Sequence, residues 1–316
     1  MTAIVNTVVL KSEQHYGRKS PPRALGEVLR QIPSTVRQAI RMRFEGRSFG
    51  AGKRPPWLDA MSDIRLVDYG GDEDTVLGFE CPRFRDAAPE LYQQKRFDWA
   101  SRPDPDDTGF DLLADVLADV AARNADSDRY DRPLLRQLAC FRAGAKASFR
   151  EVCFTGTRFS PDRPAVLNEA VIATARSLSD DTPPAEPVRV VGTLDMIRAS
   201  TQAFALKLDD GQEVRGVMSA GDVGESRHLL ATRVLILGRS VYRPSGRLLR
   251  VDADEIHPAS AGDRFFSRIP APGRRRLDVK NILREQSHKR GLAAIMGKWP
   301  GDETDEEIAA ALQELS

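Results

Sequence analysis

The chain is predicted to be α+β: a mixed α/β N-terminal domain over residues 1–178, a small five-stranded β-barrel over 188–258, and a basic then acidic helical tail over 274–316. Three observations carry this. Five short β-prone runs with one helix-prone run between the third and fourth lie between two proline-rich joints, 179–187 and 259–273. The segments before them mix both periodicities without the regular strand–helix alternation of a doubly wound sheet. Beyond residue 273 the charges segregate, basic first and acidic last.

From the start, Ala3–Leu10 is β-prone and Ala24–Ile32 reads as a helix. Pro33-Ser34 opens a second helix with Val36, Ala39, Ile40 and Phe44 on one face, closed by Gly46. Asp63–Tyr69 and Thr75–Glu80 form a hairpin across Gly70–Asp74. Arg83–Gln94 is helix-prone. Asp104, Asp106 and Asp115 fall at calcium-loop positions, but Thr108 and Asp111 occupy places that such a loop fills otherwise. Thr108-x-x-Asp111 instead reads as a capping box opening a helix through Phe110, Leu113, Val116, Leu117 and Val120. Asp131 caps a further helix, Ala147–Thr155 is a strand, and Pro164–Ser177 a helix with proline in its first turn.

In the central stretch, Val188–Ile197 is β-branched, and Ala203–Leu208 alternates so that Phe204, Leu206 and Leu208 share a face. Asp209–Gln212 turns the chain into Glu213–Met218. Asp222–Leu230 reads as a short helix. Thr232–Tyr242 and Leu248–Ile256 follow, joined by Pro244-Ser245-Gly246. Five strands with a helix after the third is the order of an OB-like barrel; an SH3-like or other small barrel is the alternative.

Ten Lys/Arg against nine Asp/Glu between Val188 and His257 give the barrel no strong field. The densest basic and aromatic patch lies earlier: Arg37, Arg41, Arg43, Arg47, Lys53 and Arg54 against Glu45, with Phe44, Phe49 and Trp57 interleaved. With Tyr242 and Arg243 of the barrel, these residues form a candidate nucleic-acid surface; a solvated helix face is the competing reading.

A net charge of +1 with 29% charged residues argues against a chain built wholly for nucleic acid or a membrane surface. Cys81, Cys140 and Cys153 are odd in number and far apart, fitting reduced thiols. His15, His228, His257 and His288 stand apart, without metal-ligand spacing. Nucleophile-elbow and dinucleotide-fingerprint patterns do not occur. The expectations are a non-enzymatic protein without cofactor or metal, lacking a signal peptide or membrane span, and cytoplasmic.

After residue 273, Arg274–Arg276, Lys280, Arg284, Lys289, Arg290 and Lys298 face only Asp278 and Glu285. From Gly301 onward there are six acids and no base. Thr304-x-x-Glu307 is a capping box, and Ile308, Leu312 and Leu315 form an apolar stripe at helical spacing. Gly297-x-Trp299-Pro300-Gly301-Asp302-Glu303 and the acidic helix after it resemble the C-terminal ends of short prokaryotic antitoxin-like proteins encoded beside PIN-domain ribonuclease toxins. The likeness covers about the last twenty residues. It implies a protein partner of PIN type that the tail binds and silences, with Trp299, Ile308, Leu312 and Leu315 as anchors and Asp302, Glu303 and Glu306 facing a basic or metal-binding site. Such antitoxins are usually small, with a compact DNA-binding N-terminus, whereas here a mixed α/β domain and a barrel precede the tail. Nucleic acid and a second copy of the chain are the other candidate partners.

Overall fold

In the computed structural model, which describes residues 4–50, 54–93, 103–141, 148–219, 223–269 and 271–272, β1 (Ile4–Lys11) is the middle strand of an antiparallel five-stranded sheet. Its alternation decides which side is covered. Asn6, Val8 and Leu10 are buried, while Val5, Thr7 and Val9 face the other way and are less covered. β2 (Arg65–Gly70) and β3 (Thr75–Cys81) form the expected hairpin on one flank; β4 (Glu151–Phe154) and β5 (Ala165–Asn168) lie on the other. The order is β2-β3-β1-β4-β5.

Helices cover the buried side. α1 (Pro22–Glu45) is one continuous helix through Pro33, not two. Proline forfeits one backbone bond, but Val28, Ile32, Val36, Ala39 and Ile40 are all buried, and that apolar stripe runs unbroken on both sides of it. Gly46 closes the helix in the left-handed region, at φ 77°, its N–H donating to Met42 O. After α2 (Pro56–Met61) and the single turns α3 (Phe84–Ala87) and α4 (Glu90–Gln93) comes α5 (Gly109–Ala121). Its start is fixed by the capping box, the Asp111 carboxylate accepting from Thr108 N and Oγ1, each at 2.9 Å. Asp131 caps α6 (Arg132–Ala139), accepting from Leu134 N. Residues 165–168, expected as a helix start, are a strand, because Val152 and Phe154 of β4 offer buried partners to Leu167 and Ala165. Asn168 then caps α7 (Glu169–Asp181). The helix thus runs into the expected linker, and only residues 182–185 separate it from the next strand.

β6 (Glu186–Arg198), β7 (Ala203–Lys207), β8 (Glu213–Met218), β9 (Arg233–Tyr242) and β10 (Leu248–Pro258) close a barrel in the order β10-β8-β7-β6-β9. The β8–β10 pair is parallel and the others antiparallel. A 3-10 helix, Val223–Leu229, stands between the third and fourth strands. Strand number, closure and helix position are all compatible with an OB-like barrel. Val190, Leu194, Phe204, Leu206, Val234 and Ile236 fill it. Phe204 sits opposite Gly216, where a Cβ would meet its ring at 1.9 Å, so any side chain there must displace this aromatic.

Sheet, helices and barrel form one unit. Leu249 of β10 belongs to the core under the sheet, and Val241 of β9 packs against that core. Contacts divide the chain after residue 273, and the described residues all belong to the first unit. Trp299, Asp302, Glu303, Glu306, Ile308, Leu312 and Leu315 lie outside the described residues, as does Lys53. Among the described residues, no helix is long and apolar enough to cross a membrane.

Candidate functional site

The densest polar constellation in the described chain joins the end of α1, the α5–α6 segment and the barrel. Its inner part is buried. The Asp131 carboxylate, with a side chain 0% exposed, accepts from Ser48 N at 3.0 Å, from Ser48 Oγ, from Leu134 N at 3.3 Å and from Arg250 Nη1 at 3.2 Å. Arg250, in turn, donates to Gly46 O at 2.9 Å and to Asp252 at 2.6 and 3.4 Å. Burial works against the Arg250 cation, but Asp131 and Asp252 outweigh it and hold its pKa above the ordinary arginine value. Beside it, Glu45 accepts from Arg41 Nε at 2.8 Å and Arg47 Nε at 2.9 Å. Arg41 also reaches Gly50 O, and Arg47 Nη1 reaches Met218 O at the end of β8.

The outer part opens to solvent as a cleft of about 330 Å³ lined by Arg43, Asp119, Arg129, Arg243 and the segment Asn124–Asp128. That segment is shaped by its own side chains. Asn124 O accepts from Ser127 N and from the Tyr130 hydroxyl, while Asn124 Oδ1 accepts from Asp126 N. Ser127 Oγ donates to Asp119 Oδ2 at 2.6 Å, and Arg129 Nη1 to Asp119 Oδ1 at 3.1 Å. The barrel grips the segment through the β9–β10 turn: Ser245 N donates to Ala125 O, Arg243 Nη1 to Asp126 O, and Arg247 Nη1 to Asp126 Oδ2 at 3.4 Å. Arg215 of β8 adds Asp128 at 3.6 Å. Burial lowers the Arg43 pKa. Every guanidinium in this list has an aspartate close by, so the cleft is charge-balanced and acts chemically as a clasp.

Several residues expected at a nucleic-acid surface are therefore engaged within the protein. Arg41 and Arg47 are tied to Glu45, Arg37 Nε donates to Ser62 Oγ at 3.1 Å, and Arg54 pairs with Asp59 at 3.5 Å on the surface. Tyr242, expected at the same surface, is buried instead: at 1% exposure, with its hydroxyl accepting from Ser240 Oγ at 2.8 Å, its ring presents no face to a base. Arg43 and Arg243, two hundred positions apart in sequence, do come together in the cleft. The sequence alone does not single out Arg250, Asp126 or Asp128, and it marks Asp131 as a cap but not as a junction. The available signal was the run Asp126–Asp131, three acids with one arginine.

A second cluster locks the start of α5. Arg158 Nε donates to Asp107 at 2.9 Å and its two Nη atoms to Asp115 at 3.2 and 2.9 Å, while its own N–H meets Asp111 Oδ1. Burial pushes the Asp107 carboxyl up to about 6, with Arg158 acting against the shift. Asp106 pairs with Arg83 and Arg85. Arg158 alone thus serves Asp107, Asp111 and Asp115, while Asp106 takes two arginines, and among the described residues no three His, Cys, Asp or Glu side chains are grouped to hold a metal ion. The chain matches no protein-family model, no curated protein and no solved structure.

Proposed function

We propose that this is a non-enzymatic, antitoxin-like regulatory protein whose acidic end binds and neutralises a partner protein, a small ribonuclease of PIN type being the candidate. The observation that carries the reading is the polarity of the end of the chain: six acids and no base from Gly301 onward, with Ile308, Leu312 and Leu315 at helical spacing behind Trp299. Such a segment suits a groove that takes an apolar helix face and is rimmed by cations. On this reading Trp299, Ile308, Leu312 and Leu315 are the anchors, and Asp302, Glu303 and Glu306 the charged contacts. The OB-like barrel is then a packing module, consistent with the way its arginines 215, 243, 247 and 250 are used on the neighbouring layer. Affinity capture from the native host should compare the full chain with one ending at Lys298. The reading predicts one small protein lost with the tail, whose ribonuclease activity the full chain suppresses and the shortened chain does not. Retention of every partner by the shortened chain contradicts it.

A second reading is nucleic-acid binding, favoured by the meeting of Arg43, Arg129 and Arg243 in one cleft, where they would have to exchange Asp119, Asp126 and Asp128 for phosphates. It predicts oligonucleotide binding that falls steeply with salt; absence of binding at low salt removes it.

A further inference from the structure

Two of the exposed large apolar side chains of the sheet, Leu66 and Val67, stand side by side on its end strand β2; a third, Val5, lies on the middle strand β1. β2 is an end strand of the sheet, with one edge paired to β3 and no pairing on the other among the described residues. Leu66 is 45% exposed and Val67 51%, two of the few large apolar side chains left open in the described chain. The opposite end of the sheet differs, since β5 has only four residues, two of them buried, and α5 and α7 pack against it.

Edge strands are commonly protected by charge or by a bulge. β2 has both, with a register shift between Leu66 and Asp68 and the charged residues Arg65 and Asp68. Their placement, however, is self-complementary. The run Arg65-Leu66-Val67-Asp68 reads basic, apolar, apolar, acidic, so a two-fold axis between Leu66 and Val67 sets Arg65 against Asp68 of a second copy, and Asp68 against its Arg65. The same axis sets Leu66 against Val67. In an antiparallel pair, directly opposite residues share a face. Arg65 and Asp68 meet that condition: they align with Glu80 and Gly78 of β3, which align with Val5 and Thr7 on the side of the sheet away from the core. Arg65 already lies 2.7 Å from Asp63, in an exposed pair that leaves donors of the guanidinium for a second carboxylate.

We propose that β2 is a homodimerisation edge, pairing antiparallel with β2 of a second copy about this two-fold and joining the two five-stranded sheets into one. A foreign strand would have to bring the complementary order of charges; a second copy has it by symmetry. The inference concerns a surface that the partner-binding reading does not use.

Sedimentation velocity of the full chain, from about 1 to 100 µM, tests it. The wild type is expected to shift from monomer to dimer across that range. Arg65→Glu and Asp68→Arg each place like charges opposite one another twice, and each should weaken dimerisation about tenfold or more. The double variant Arg65→Glu/Asp68→Arg restores opposite charges at both positions and should recover the dimer, which a merely misfolded single variant would not allow. A monomer throughout the range, dimerisation unmoved by either single reversal, or a double variant no better than the singles would each overturn the proposal.

Discussion

The two ends of the junction between helices and barrel use the same chemistry in different surroundings. At the inner end, Arg250 and Asp131 have side chains 7% and 0% exposed and nearly every polar atom engaged. At the outer end, Arg247 and Asp126 meet at 3.4 Å with side chains 76% and 46% exposed. Burial sets the worth of these pairs. In water the attraction is screened and offset by the freedom of two mobile side chains. Inside, removing one partner strands the other charge away from solvent.

The largest effect should therefore come from Asp131→Ala, which leaves Arg250 without its buried counter-charge and deprives α6 of its cap. It is expected to cost about 3–5 kcal/mol in denaturant unfolding. A loss near zero would mean that water enters the junction. Gly216→Ala comes next, at about 1–3 kcal/mol, because the added methyl must displace the Phe204 ring; an unchanged midpoint would show that the ring has room to move.

At Asp107 the balance between burial and pairing depends on pH. Its folded pKa, about 6, lies above the ordinary 3.8, so between those values the folded state holds more protons than the unfolded one. Its contribution to stability therefore falls as pH rises from about 4 to 6, the reverse of an ordinary ion-paired carboxylate. Asp107→Asn should gain on the wild type across that window by on the order of 1–3 kcal/mol in paired unfolding curves. A loss instead would show that Arg158 outweighs burial. The smallest effect belongs to Arg247→Ala, within about 0.5 kcal/mol and shrinking further as salt is added; a larger loss would put the outer end of the clasp on a par with the inner one.

Much of this fold was legible in the residues. Alternation at Phe204, Leu206 and Leu208, the turn at Gly211, with φ 84°, and the Thr108–Asp111 box are local signals, and each appears in the structure. Pro33 misled because the buried stripe on α1 outweighs one lost hydrogen bond. Residues 165–168 misled because their strand exists only against β4. The clasp was the least legible part. Arg250 meets Asp131 and Gly46, which lie 119 and 204 positions away, and no local pattern distinguishes an arginine destined for a buried carboxylate from one on a surface. For that reason Arg41, Arg47 and Arg243 read as nucleic-acid contacts.

Hydrogen exchange of the full chain in mild denaturant shows whether buried ion pairs make the α/β layer and the barrel one cooperative body. The amides of β1 and of β9 should open with the same free energy in the wild type and separate in Asp131→Ala. Barrel amides that exchange well before those of β1 in the wild type would contradict it.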